Sequence, residues 1–108
     1  MKEIKAFVHP SKVHNIVDAL RNAGFPNITL TPSEGTGQVA SEEETYPTLE
    51  FSVSRSKVVK LELVCSDQEE EKAVTLIQEK GKTGKPGDGI IYVSEVGKAY
   101  KVKTGEAL

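Results

Sequence analysis

"KVVKLELVCSDQEEEKAVTLIQ", residues 57–78, carries two periodicities in one stretch. Lys57 to Val64 is rich in β-branched and apolar residues, as a strand requires. Ser66 and Glu69 then have the spacing of a capping box, which satisfies amide donors at the start of a helix. Ala73, Val74 and Ile77 follow on one helical face. The same order occurs upstream. "KEIKAFV", residues 2–8, alternates, with Ile4, Ala6 and Val8 on one side and Lys5 and Phe7 on the other. "SKVHNIVDALRNAG", residues 11–24, reads as a helix with Ser11 as N-cap, Val13, Ile16, Val17 and Leu20 inward, and Gly24 as the stop. "NITLT" alternates from Asn27 until Pro32 limits the pairing. "IIYVSEV" from Ile90 is a further strand, and "AYKVK", residues 99–103, a short extra one.

The order β-α-β, long loop, β-α-β, β predicts an α+β fold: a ferredoxin-like βαββαβ sandwich with an extra C-terminal strand, in a single domain over 1–108. Both helices would cover one sheet face. The second face would carry Lys5, Phe7, Val58, Lys60, Glu62, Val64, Ile90 and Tyr92, a mixture too apolar to stand alone, so an oligomer is expected.

Composition excludes several classes. With 108 residues, 37% hydrophobic, 28% charged and a net charge of -2, the chain lacks the basic footprint of a nucleic-acid binder. The one cysteine, Cys65, precludes an intrachain disulfide and fits a reducing compartment. No signal peptide is read, and no run approaches the roughly 18 apolar residues of a membrane span. A cytoplasmic location without membrane insertion is expected. His9 and His14 lack the cysteine or carboxylate company of a metal site. Cys65 closes an apolar strand as a small core residue. No nucleophile–base arrangement emerges, so neither an enzyme nor a metal centre is expected.

"GKTGKPGDG", residues 81–89, is the richest stretch. It is not a Walker A loop: Leu76 stands where that motif needs glycine, and here a helix feeds a loop and then a strand. "GTGQVA" at Gly35 matches a dinucleotide fingerprint only weakly. Gly84, Gly87 and Gly89 could instead turn backbone N–H groups towards one anion, with Lys82, Lys85, Lys101 and Lys103 adding charge. A plain glycine-rich turn with solvated lysines remains the alternative. Residues 37–56 form a loop longer than the usual ~12–15 residues, either a floppy insert or a partner-binding segment.

"TGKPGDGIIYVSEV" followed by "YKVKTGE" resembles the C-terminal signature of PII signal-transduction proteins, and "GFPNITLTPSEGTG" resembles their first half. The resemblance implies a homotrimer with an adenine nucleotide (ADP, AMP or ATP) in each intersubunit cleft, magnesium being left open. It implies a T-loop at about 37–56 that docks on a transporter or enzyme, a B-loop at about 82–90 around the phosphates, and a C-terminal segment at 99–108. Thr29, Gly35, Thr36, Gly37, Glu62, Val64, Thr83, Gly84, Gly87, Asp88 and Gly89 fall on nucleotide-site positions, and Lys101 and Lys103 replace an arginine pair. Glu44, Tyr46, Leu49 and Phe51 fall on the partner-binding loop.

Departures from the family pattern are specific. A phosphate-contacting lysine is Ile90 here, a 2-oxoglutarate- and magnesium-binding glutamine is Val39, and a lysine at the T-loop base is Val58. A register shifted by one residue would restore the last two as Gln38 and Lys57. The uridylylated tyrosine corresponds to Phe51 (Glu50 if shifted), and a phosphorylated serine to Leu49. The resemblance therefore implies a nucleotide sensor without uridylylation and with 2-oxoglutarate sensing in question. The alternative is a sensor of ADP or AMP plus another small anion, such as bicarbonate, in carbon assimilation or transport.

Overall fold

The computed structural model describes residues 1–36, 46–47 and 54–108, with 46–47 and 54–55 described by their backbone. Strand β1 (Lys2–Val8) leads through a 3-10 turn (Pro10–Lys12) into α1 (Val13–Asn22). Strand β2 (Thr29–Gly35), the two-residue β3 (Tyr46–Pro47) and the long β4 (Ser54–Cys65) follow. A second 3-10 turn (Asp67–Glu69), α2 (Glu70–Gly81) and β5 (Gly89–Glu95) complete the order. The sheet runs β2-β4-β1-β5 with every pairing antiparallel, which is the ferredoxin-like arrangement.

Alternation sorts the faces. Ile4, Ala6 and Val8 sit opposite Leu63, Leu61 and Val59, and the helices pack on that side with Ile16, Leu20, Ala73 and Ile77. Burying four such aliphatic side chains from β1 and β4 (Ile4, Leu61, Leu63, Val8) stabilises the domain by about 1.5–3 kcal/mol each before entropy is counted. The opposite face carries Glu3, Lys5 and Phe7 beside Val64, Glu62 and Lys60, and beside Ser94, Tyr92 and Ile90. Phe7 and Tyr92 meet edge to face at 6.1 Å. Val64 and Tyr92 remain about half exposed there.

Four details differ from the sequence expectations. The first helix is entered through His9 rather than Ser11: Pro10, with its preset φ and no N–H to satisfy, starts the turn two residues early, and the His9 ring accepts the Ser11 N–H at 3.2 Å. Strand β2 runs past Pro32 to Gly35, because β2 is an edge strand and its missing donor costs no ladder bond. β4 begins at Ser54, with Ser56 buried opposite Gly35 and Ser54 and Arg55 paired to β3. The C-terminal "AYKVK" is not a strand of the sheet. Gly105, at φ 75°, turns the chain back so that Tyr100 bridges Ala107, and the Lys101 N–H donates to the Glu106 carbonyl at 2.8 Å. Lys101 and Lys103 therefore lie on a tight turn rather than on one strand face.

Candidate nucleotide site

The segment between α2 and β5 is organised around one carboxylate. Asp88 accepts the N–H of Thr83 and the N–H of Gly84, both at 2.9 Å, and the Thr83 hydroxyl as well. Thr83 Oγ1 in turn accepts the Lys85 N–H at 3.1 Å. Partial burial pushes the Asp88 carboxyl upward, but the Thr83 and Gly84 hydrogen bonds, with His9 nearby, outweigh it and hold it below the ordinary carboxylate range. The Gly84 amide, expected from sequence to face an outside anion, is thus committed inside the loop. Asp88 was legible only as one member of a motif; its five-residue spacing from Thr83 across two glycines was the available signal.

Two glycines make this path possible. Gly87 has φ 87°, a region that side chains with a Cβ rarely enter. Gly89 has φ 112°, and a Cβ there would lie 1.8 Å from the Phe7 carbonyl oxygen. Gly89 pairs with Val8, so β5 starts pressed against the β1 backbone. A cavity of about 390 Å³ opens beside it, lined by Phe7, Gly81, Lys82, Asp88, Gly89 and Ile90.

A larger groove, of about 940 Å³, lies at the other end of the sheet, where Thr29, Glu62 and Val64 line it with Glu3, Ile28 and Leu108. Thr29 is opposite Glu62, and Val64 is opposite Glu3. Lys5 lies 3.9 Å from Glu62 and 3.8 Å from Glu3. Val59 is level with Val8, and Val8 with Gly89, so Val64 stands five residues along β4 from the level of the loop. At about 3.3 Å per residue that is roughly 17 Å. Glu62 and Thr29 stand three residues from that level, roughly 10 Å. Gly35, opposite Ser56, stands three residues away in the other direction, so one chain spreads the expected site residues along the sheet rather than gathering them.

Gly35 is buried at the end of β2 and Thr36 is exposed just beyond it, while Gly37, Gln38 and Val39 lie outside the described residues. Glu44, Leu49, Glu50 and Phe51 also lie outside them, and Tyr46 is described by its backbone in β3. Val58 is buried opposite Ser33, on the same face as Glu62; Lys57 alternates to the helix face, opposite Glu34. The lysine thus does not replace Val58 on the site face. Ile90 is half-buried opposite Phe7, and Lys82, Lys85, Lys101 and Lys103 are exposed. Among the described residues no three His, Cys, Asp or Glu side chains gather as a metal cluster. His14 pairs with Asp18 at 3.2 Å on α1. Burial, aided by Glu69 and Glu70, pushes the Cys65 thiol up, away from the thiolate that a nucleophile needs.

The family model described as "Nitrogen regulatory protein P-II" matches residues 1–106. Nitrogen regulatory protein P-II of Bradyrhizobium diazoefficiens is 36% identical over 107 residues, covering 99% of this chain and 96% of the relative. Its counterpart in Rhodospirillum rubrum is 37% identical over 106 residues, 98% and 95% of the two chains. Nitrogen regulatory protein GlnK of Escherichia coli is 30% identical over 107 residues, 99% and 96% of the two. With the family model matched over residues 1–106 and relatives of 30–37% identity spanning nearly the whole chain, the chain belongs to the P-II family of nitrogen regulatory proteins, which signal rather than catalyse.

Proposed function

We propose that the chain is a cytoplasmic regulator that assembles as a homotrimer and binds an adenine nucleotide in each cleft between neighbours. One observation carries this reading: along the sheet of one chain, Thr29 and Glu62 stand roughly 10 Å and Val64 roughly 17 Å from the level of the 82–90 loop. Neither the loop nor the groove at Thr29, Glu62 and Val64 encloses a nucleotide alone, and a second copy laid on the uncovered sheet face supplies the missing half. In this reading the loop 82–90 holds the phosphates with help from Lys101 and Lys103. Thr29, Gly35, Thr36, Gly37, Glu62 and Val64 surround the base and sugar. The segment 37–56, including Glu44, Tyr46, Leu49 and Phe51, is the T-loop through which ligand state reaches a transporter or enzyme.

Val58 and Ile90 lie on the site face, where cations would meet outer phosphates or a dicarboxylate. Their apolar character favours ADP or AMP over ATP, and it favours a second reading in which a smaller anion such as bicarbonate accompanies the nucleotide. Calorimetry with AMP, ADP and Mg-ATP, repeated with a panel of small anions, tests both. Saturable ADP binding at one site per subunit supports the proposal. Absence of binding by every nucleotide overturns it, and tighter binding of Mg-ATP than of ADP overturns the stated preference.

A further inference from the structure

Where β1 ends, an imidazole stands between a helix and the 83–88 loop. His9 is still extended, at φ -65° and ψ 133°, and it follows Val8, which pairs with Gly89. The next rung of that antiparallel ladder sets His9 opposite Asp88, so both residues belong to one face of the sheet. Nδ1 of the ring accepts the Ser11 N–H at 3.2 Å and lies 2.7 Å from Ser11 Oγ. A backbone N–H can only donate, so Nδ1 is an acceptor and the neutral ring carries its proton on Nε2. Asp88 has room for that second N–H. A carboxylate offers about four lone pairs, and Thr83 and Gly84 donate three hydrogen bonds to it. The nearness of His9 also helps to hold the Asp88 carboxyl below its ordinary range.

We propose that His9 is a positioning residue: its Nε2–H donates to Asp88 while Nδ1 holds Ser11, so a single ring couples the entrance of α1 to the 83–88 loop. The coupling responds to protons. When the ring takes one up, Nδ1 becomes a donor, the Ser11 N–H is turned away and the Ser11 hydroxyl must accept instead. The bond to Asp88 becomes charge-assisted at both ends, and such bonds are about twice as strong as neutral ones. Acid therefore loosens the turn at Pro10–Lys12 and tightens the loop. The charged residues on the surrounding elements are Lys12 on the turn, Lys82 and Lys85 on the loop, and Glu34 and Lys57 on the strands beside Pro10. From α2, uncharged Ile77, Gln78 and Gly81 line the cavity next to the loop. Side chains of these charged types keep their charge where imidazoles titrate, roughly pH 5–8, and Asp88, held low, stays ionised there. The coupling acts on the candidate nucleotide loop but does not depend on the nucleotide reading.

The test follows ring and amide signals of the ligand-free protein by NMR from about pH 8 to about pH 5.5, with amide hydrogen exchange at both ends. Ring nitrogen shifts should show His9 protonated on Nε2 at the upper end. On acidification the Ser11, Thr83 and Gly84 amides should titrate together with the His9 ring, at one midpoint. Exchange protection, corrected for the intrinsic rate, should rise about fivefold at Thr83 and Gly84 and fall at Ser11. His9→Gln cannot take up a proton and should abolish the response. His14→Gln, whose exposed ring pairs with Asp18, should leave it as in the parent. Asp88→Asn keeps an acceptor oxygen without the charge, so it should remove most of the gain at Thr83 and Gly84, and it decides if His9→Gln fails to fold. A loop unresponsive to pH in the parent, a response that survives in His9→Gln or is undiminished in Asp88→Asn, or a proton on Nδ1 at the upper end overturns the proposal. No nucleotide is present, so this result stands apart from that of the calorimetry.

Discussion

At the scale of single residues, Gly87 and the two C-terminal lysines separate shape from charge. Gly87→Val places a β-branched residue at φ 87°, where strain of about 1–3 kcal/mol is expected and the loop must open to relieve it. Nucleotide affinity should fall accordingly while sedimentation still reports the same assembly, because residue 87 lies outside the sheet. Lys101→Ala and Lys103→Ala should each weaken nucleotide binding, and more so at low salt, since both ammonium groups are exposed and their field is screened by ions. Calorimetry at two ionic strengths reads this directly. A salt-independent loss would mean that the C-terminal turn had been disturbed instead.

At the scale of elements, the start of the second helix has a predictable pH signature. Glu69 accepts the Ser66 N–H at 3.1 Å and the Ser66 hydroxyl at 2.9 Å, and these bonds, backbone first, hold its carboxyl below the usual value of 4.5. A carboxyl depressed by folding contributes stability above its unfolded pKa and loses it as pH falls through the folded one. Thermal unfolding of the parent should therefore weaken from about pH 4.5 downward, and Glu69→Gln should flatten that part of the profile. This box was legible from Ser66 and Glu69 alone, because capping is local. So were β1, both helices and the face assignment of Lys5, Phe7, Glu62 and Tyr92, which need only period and spacing. The continuation of β2 past Pro32 was not, because edge position is a property of the sheet and not of the strand. The C-terminal turn was missed for a related reason: "AYKVK" alternates well, but Gly105 lets the chain satisfy its bonds with itself. In the candidate site, the motif drew attention to residues 81–89 and to Asp88 as one of them, but the hydrogen bonds that close the loop on its carboxylate are legible only in the geometry.

At the scale of the whole molecule, Val64 and Tyr92 are half exposed on the sheet face opposite the helices, the face that the proposed trimer would bury. Sedimentation at micromolar concentration should give about three times 11.7 kDa, and Tyr92→Asp should shift it towards the single chain. Titration of 2-oxoglutarate into the Mg-ATP complex should show little response, since Val58 stands on the site face where an ammonium would be needed and Lys57 is on the other. Incubation with a uridylylating enzyme should leave the chain's mass unchanged, because Phe51 has no hydroxyl to modify. A further consequence belongs to time. A loop folded around its own carboxylate has little ordering entropy left to lose when a ligand arrives, so encounter frequency, not loop closure, should set the arrival rate. Dissociation then governs how quickly the regulator forgets a past metabolic state, and stopped-flow traces should show a single bimolecular phase with no slow rearrangement behind it.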